Sequence, residues 1–232
     1  MKKVVLSQML FIFFVSCIFA QSGDIVRIKA GENPAAGFSP HGFYRFPTFS
    51  EGVVVFKNGG KTSGRFNYHL LNEEVQFISA NGDTLALSDP LAIQYITIDS
   101  SLFYYSEGYL EVVESNESLK LAKKLRLNTN WEKIGAYGQA SPSGSIRTAN
   151  RIMLGNTGSN LRLNEDLVIE KKTTYYWLDK YNTVLKATKA NLLKLLPSDK
   201  ERNIEEYVKN NKIDFKKEAD LKKLLKYSSS AE

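Results

Sequence analysis

The stretch Glu74-Val75-Gln76-Phe77-Ile78-Ser79-Ala80-Asn81-Gly82-Asp83-Thr84-Leu85-Ala86-Leu87 decides the fold class. Two short runs of strand-forming residues flank Asn81-Gly82, and both turn residues tolerate the positive φ that a tight reversal needs, so the stretch reads as a β-hairpin. The same texture continues in both directions. Upstream, Val53-Val54-Val55-Phe56 leads through Asn58-Gly59-Gly60 to Arg65-Phe66-Asn67-Tyr68, a second hairpin. Downstream, Ala92-Ile93-Gln94-Tyr95-Ile96-Thr97-Ile98 reverses at Asp99-Ser100 into Leu102-Phe103-Tyr104-Tyr105, and Gly108 punctuates before Tyr109-Leu110-Glu111-Val112-Val113. Short strands at regular spacing, with tight turns and no βαβ unit, imply an antiparallel meander that curls into a roll, barrel or sandwich. Residues 118–127 carry two signals: Leu119, Leu121, Leu125 and Leu127 alternate as in a strand, while Ala122-Lys123-Lys124 suits a helix. The alternation predicts a strand. Leu161-Arg162-Leu163, Leu167-Val168-Ile169 and Thr173-Thr174-Tyr175-Tyr176-Trp177-Leu178 then complete the sheet.

Residues 134–160 are poor in large apolar side chains and rich in Gly, Ser, Asn and Thr, with Pro142 inside, so they bury too little to offset their ordering entropy. A flexible Gly/Ser loop is expected there. After Asp179 the texture changes to leucines at helical spacing. Leu192, Leu193, Leu195 and Leu196 predict a short helix stopped by Pro197, which lacks the donor and clashes with the preceding turn. Ser198 with Glu201 matches a capping box opening a second helix through Ile204, Tyr207 and Val208. A third, from Asp214 or its neighbours, carries Leu221, Leu224 and Leu225 among lysines. Helices of this length are marginal alone in water and must dock on something. The chain reads as α+β, with a β-rich domain over 21–178 and short amphipathic helices over 179–232.

At the N-terminus, Lys2 and Lys3 precede an apolar run from Met9 to Phe14, broken by Ser7, Gln8 and Ser16 short of the ~20 apolar residues that a spanning helix needs. Residues 1–20 therefore read as a secretory signal peptide cleaved after Ala20, leaving no transmembrane span. Lipoprotein processing before Cys17 is the alternative, for which Phe14 is a poor stand-in for the usual leucine. Cys17 is the single cysteine, so the mature chain has none and thiol chemistry is excluded. Loss of Lys2 and Lys3 changes 31 basic residues against 25 acidic into 29 against 25, a net +4 that is no nucleic-acid signature. With 43% hydrophobic and 24% charged residues, the chain has the balance of a folded globular protein, so disorder throughout is excluded. The expected product is periplasmic or associated with the outer envelope.

Two stretches are similar to a known group. Gly64-Arg65-Phe66-Asn67-Tyr68-His69-Leu70-Leu71-Asn72-Glu73-Glu74-Val75-Gln76-Phe77-Ile78, followed by Gly82-Asp83-Thr84-Leu85, resembles a recurring N-Y-N-L, F-I, G-D-T-L pattern of uncharacterised exported proteins of Bacteroidota. The tail, above all Asn210-Asn211-Lys212-Ile213-Asp214-Phe215-Lys216-Lys217 and Asp220-Leu221-Lys222-Lys223-Leu224-Leu225, resembles the lysine-rich tails of the same proteins. His69 stands where that pattern has Asn. The motifs consist of turn and core residues, and the resemblance implies no catalytic residue, cofactor or substrate.

The residues that carry chemistry are few. His41 and His69 are the two histidines, and neither has a second His, Asp or Glu at metal-ligand helical spacing, so no metal site is assigned. Each reads as a structural histidine, with general acid/base duty in a hydrolase as the competing role. No G-x-S-x-G nucleophile elbow occurs, and Ser143 belongs to the expected loop. Glu73 and Glu74 are neighbours and on a strand would face opposite ways, so they form no glycosidase pair by themselves. Asn58-Gly59-Gly60-Lys61-Thr62-Ser63-Gly64 has the composition of a phosphate loop without its spacing and reads as a hairpin turn. No catalytic, cofactor-binding or metal-ligating residue is assigned. Tyr104-Tyr105 and Tyr175-Tyr176-Trp177 either pack a core or line a ligand or partner surface, and the tail lysines either face solvent or touch an anionic membrane peripherally. The expected function is a non-catalytic envelope module binding a protein or surface polymer through a sheet edge or the long loop. A roll or barrel enclosing a small apolar ligand is the alternative, and a hydrolase using His41 or His69 is third.

Overall fold

The computed structural model describes residues 25–32, 40–134, 140–142 and 164–230. The expected signal peptide, most of the 134–160 loop and Leu161-Arg162-Leu163 lie outside them. The described residues form one antiparallel sheet of twelve strands: β1 (Ile25–Ile28), β2 (Ser50–Phe56), β3 (Lys61–His69), β4 (Glu74–Ile78), β5 (Thr84–Ala86), β6 (Ile93–Ile98), β7 (Ser101–Tyr105), β8 (Tyr109–Ser115), β9 (Leu119–Ile134), β10 (Ala140–Pro142), β11 (Asp166–Asp179) and β12 (Val184–Lys186). The order is β1-β11-β9-β8-β7-β6-β2-β3-β4-β5, with β10 on β9 and β12 on β11. The hairpins fall where their turn residues require them, with φ of +86° at Gly59 and +85° at Gly82, a conformation that glycine adopts without a Cβ clash. Residues 118–127 are strand, since β9 takes up all four alternating leucines. Ala140–Pro142 depart from the expected loop by pairing with Glu132–Ile134, and Pro142 fits there because the strand sits on an edge.

The sheet is open, because β1 and β5 do not pair, so the closed barrel among the expected forms is not adopted. It curls strongly instead. Tyr68, Ile96, Ile98 and Phe103 from one half pack with Ile28, Leu125, Leu127, Trp131, Leu167 and Ile169 from the other in a single buried core. Beyond the start of β8, Leu70 follows the end of β3 and takes the place beside β9, where the Leu127 amide donates to the Leu70 carbonyl at 3.0 Å. The buried Tyr68 hydroxyl donates to the Leu125 carbonyl across the same seam, also at 3.0 Å.

A second core lies at the other end of the long strands. Leu119 and Leu121 of β9 and Trp177 of β11 are buried beneath Leu192, Ile204, Leu221, Leu224 and Leu225 of three helices, α1 (Lys189–Leu195), α2 (Glu201–Asn210) and α3 (Glu218–Ser230). Strand residues two apart share a face, so Leu119, Leu121, Leu125, Leu127 and Trp131 all look the same way and serve both cores. The helices differ from expectation at their starts. The α1 N-cap is Thr188, whose hydroxyl accepts from the Asn191 amide at 3.2 Å. Ser198 and Glu201 form no capping box: after Pro197 the chain makes one 3-10 turn over Ser198–Lys200 with no side-chain cap, and α2 follows uncapped. Asp214 precedes α3, with its amide donating to Asp220 Oδ2 at 3.2 Å and its Oδ1 accepting from the Lys216 amide at 2.9 Å.

Candidate functional site

His69 ends β3 and is 2% exposed. Its ring stacks on Phe43 with centroids 5.9 Å apart and meets the edge of Tyr44 at 4.9 Å. Nδ1 accepts from the Asn72 amide at 3.2 Å, which places the neutral ring's proton on Nε2. Burial pushes the imidazole below its ordinary value, with the Glu74 carboxylate across the β3–β4 pair opposing that shift. Glu74 Oε1 is itself occupied, accepting from Asn72 Nδ2 at 2.9 Å and Gln76 Nε2 at 2.7 Å, while the Tyr44 hydroxyl donates to Gln76 Oε1 at 2.7 Å. This half-buried polar cluster around buried His69 pins the 43–46 segment to β3 and β4. His41 lies in a 3-10 turn over Pro40–Phe43, and its side chain is outside the described residues.

The two adjacent glutamates part company, though not by strand alternation. Glu73 sits in the β3–β4 turn at φ +55° and pairs with Lys124 at 2.6 Å, while Glu74 starts β4. Lys57-Asn58-Gly59-Gly60 is the β2–β3 turn, with Asn58 Oδ1 accepting from the Gly60 amide at 2.9 Å. Among the described residues no group of three or more His, Cys, Asp or Glu is placed to hold a metal ion. Sequence reasoning missed Glu111, a carboxylate 6% exposed on β8. Arg45 clamps it through both oxygens at 2.7 and 2.8 Å. Lys123, opposite it on β9, approaches at 3.9 Å and reaches Glu218 of α3 at 3.3 Å. The chain of charges runs between the two cores. Its one sequence signal is a glutamate at a core-facing position of an apolar strand, and its partners lie far off in sequence.

Each aromatic run is divided by the alternation of its strand. Tyr105 packs on the curled core, and Tyr175 and Trp177 pack on the helix-covered core. Tyr104 and Tyr176 go to the opposite face, where with Val184 they cover buried Leu110, Ala122 and Leu178. Tyr95 on β6 stands opposite Tyr104 with centroids 6.4 Å apart, and Lys120 Nζ lies 5.5 Å over the Tyr104 ring. The inside of the curl is occupied by Tyr68, Phe103 and Ile96. Open clefts among the described residues include two at the surface. One of about 400 Å³ is lined by Tyr44, Pro47, Thr48, Phe49, Arg65, Asn67 and Ile78. The other, of about 700 Å³, lies between the Asp179–Tyr181 turn, Ser118 and the residues Leu195, Pro197 and Ser229.

No protein-family model, no curated protein and no solved structure matches this chain. No helix among the described residues is long and apolar enough to cross a membrane.

Proposed function

We propose that the chain is an exported, non-catalytic binding module of the cell envelope whose partner is a surface polymer or an envelope protein. The observation that carries this reading is the division of polar groups between inside and outside. Among the described residues, the histidine and the carboxylates nearest to an acid or base role are committed to structure: His69 to the Asn72 amide, Glu74 to Asn72 and Gln76, Glu111 to Arg45. Half-buried Tyr104 and Tyr176 lie with Lys120 and Lys186 on the sheet face turned away from the helices, and partly polar surfaces of that kind suit recognition.

Export is supported by residues 1–20 alone, through their basic start and short apolar run. The test is co-sedimentation of the purified mature chain, beginning at Gln21, with envelope fractions of its host. Saturable binding that His69→Gln leaves unchanged is expected. Absence of saturable binding to any fraction, or hydrolysis of an envelope substrate that His69→Gln abolishes, would overturn the reading.

A further inference from the structure

The face of β9, β11 and β12 turned away from the helices combines cations with aromatic rings. Arg126 and Lys172 are directly opposed across the β9–β11 pair. Like charges in that position weaken strand pairing, yet neither side chain makes an ion pair with a described carboxylate. Three more cations share the face, of which Lys124, opposite Thr174, is paired with Glu73 at 2.6 Å. Lys186 is opposite Tyr176, and Lys120 is opposite Leu178 with its ammonium over the Tyr104 ring. Glu170 is also on this face, two residues before Lys172 and opposite neutral Asn128, while Glu132 and Asp166 at the far end of the two strands are engaged by Arg27 of β1, so the stretch around Arg126 and Lys172 keeps a positive balance.

Charge complementarity points to an anionic occupant that relieves the Arg126–Lys172 repulsion. The half-buried Tyr104 and Tyr176 add ring surface against which the C–H face of a sugar can stack. Arg126 with Lys172 and Tyr176 with Lys186 are each neighbours across adjacent strands, ~4.8 Å apart, and four residues of β11, about 13 Å, separate the two pairs, a span that an extended chain of several sugar units covers.

We propose that this face binds an acidic polysaccharide, carboxylates meeting Arg126, Lys172 and Lys186 and sugar rings lying on Tyr104 and Tyr176. The proposal rests on the binding-module reading above and names its ligand class. It is tested by affinity electrophoresis of the mature chain in gels containing polygalacturonate, neutral dextran or poly(dT). Polygalacturonate should retard the protein and dextran should not. Arg126→Gln/Lys172→Gln should lower the affinity about tenfold or more, while raising the urea midpoint because the opposed charges are gone. The charge-matched control Lys209→Gln/Lys216→Gln should bind as the parent does.

Equal loss in both double variants would mean a diffuse charge effect and overturn the proposal. Tighter retention by poly(dT) would reassign the face to nucleic acid. If polygalacturonate fails to retard a chain that still sediments with envelope fractions, the acidic-glycan assignment falls and the binding-module reading stands. Failure of both assays removes both.

Discussion

Leu125, Leu127 and Trp131 share one face of β9 with Leu119 and Leu121, yet the first group is covered by the rest of the sheet and the second by helices. The period-two pattern is the same along the whole strand. What differs is the cover within reach. At the Leu127 end the sheet curls back until Leu70 meets β9, and the core closes on itself. At the Leu119 end there is no further strand to curl over, so Trp177 and its neighbours are buried only because α1, α2 and α3 fold across them. The Arg45–Glu111–Lys123–Glu218 chain, half-buried except for buried Glu111, stands where one cover gives way to the other.

The comparison breaks most severely if the helices are removed. Truncation after Asp179 bares Leu119, Leu121 and Trp177, and the remaining β domain should be insoluble or lose its cooperative melt, as read by circular dichroism and sedimentation. Next in size is Leu224→Ala. With Leu224 at 0% exposure, the cavity should cost about 2 to 5 kcal/mol in urea unfolding. Glu111→Gln tests the boundary: it leaves the Arg45 fork without its charged partner and should cost about 1.5 to 3 kcal/mol, with Arg45→Met as the companion variant.

Acid should separate the two regions by pH. Burial raises the Glu218 carboxyl, but hydrogen bonds and charge from Lys222 and Lys123 outweigh it and hold the group below the usual carboxylate range. Its contribution is therefore present above the unfolded value of about 4.3 and is lost as pH falls through the lower folded value. His69 titrates in a higher window. Its folded value is depressed, so protons favour the unfolded chain and stability should begin to fall below about pH 6.5. Melting curves from pH 8 down should show the early loss vanish in His69→Gln and the later loss shrink in Glu218→Gln. The smallest effect belongs to Arg202→Ala on the exposed face of α2. It breaks an ion pair with Glu206 at 3.1 Å and should change stability by about 0.5 kcal/mol or less.

The turns and the alternating runs were legible from the residues because each signal is local. Asn81-Gly82 needs no distant partner to be a reversal, and the leucines of β9 alternate whatever lies over them. The curl was not legible, since it depends on Tyr68 reaching the Leu125 carbonyl from 57 positions away. Ser198 and Glu201 misled because the capping-box spacing ignores the entry angle that Pro197 imposes. The aromatic runs were half legible: alternation requires alternate residues to face opposite ways, but which face a helix would cover depends on the tail. The opposed Arg126 and Lys172 could be seen only once the β9–β11 register was known.

The chain's two tryptophans fall one in each region, Trp131 in the curled core and Trp177 beneath the helices. Urea unfolding followed by fluorescence in Trp131→Phe and Trp177→Phe, each with and without Leu224→Ala, tests most directly whether the two covers complete one fold. One cooperative fold requires coincident transitions for both reporters, with Leu224→Ala moving both midpoints down together. A Trp177 transition that shifts to lower urea while the Trp131 transition stays in place would contradict it.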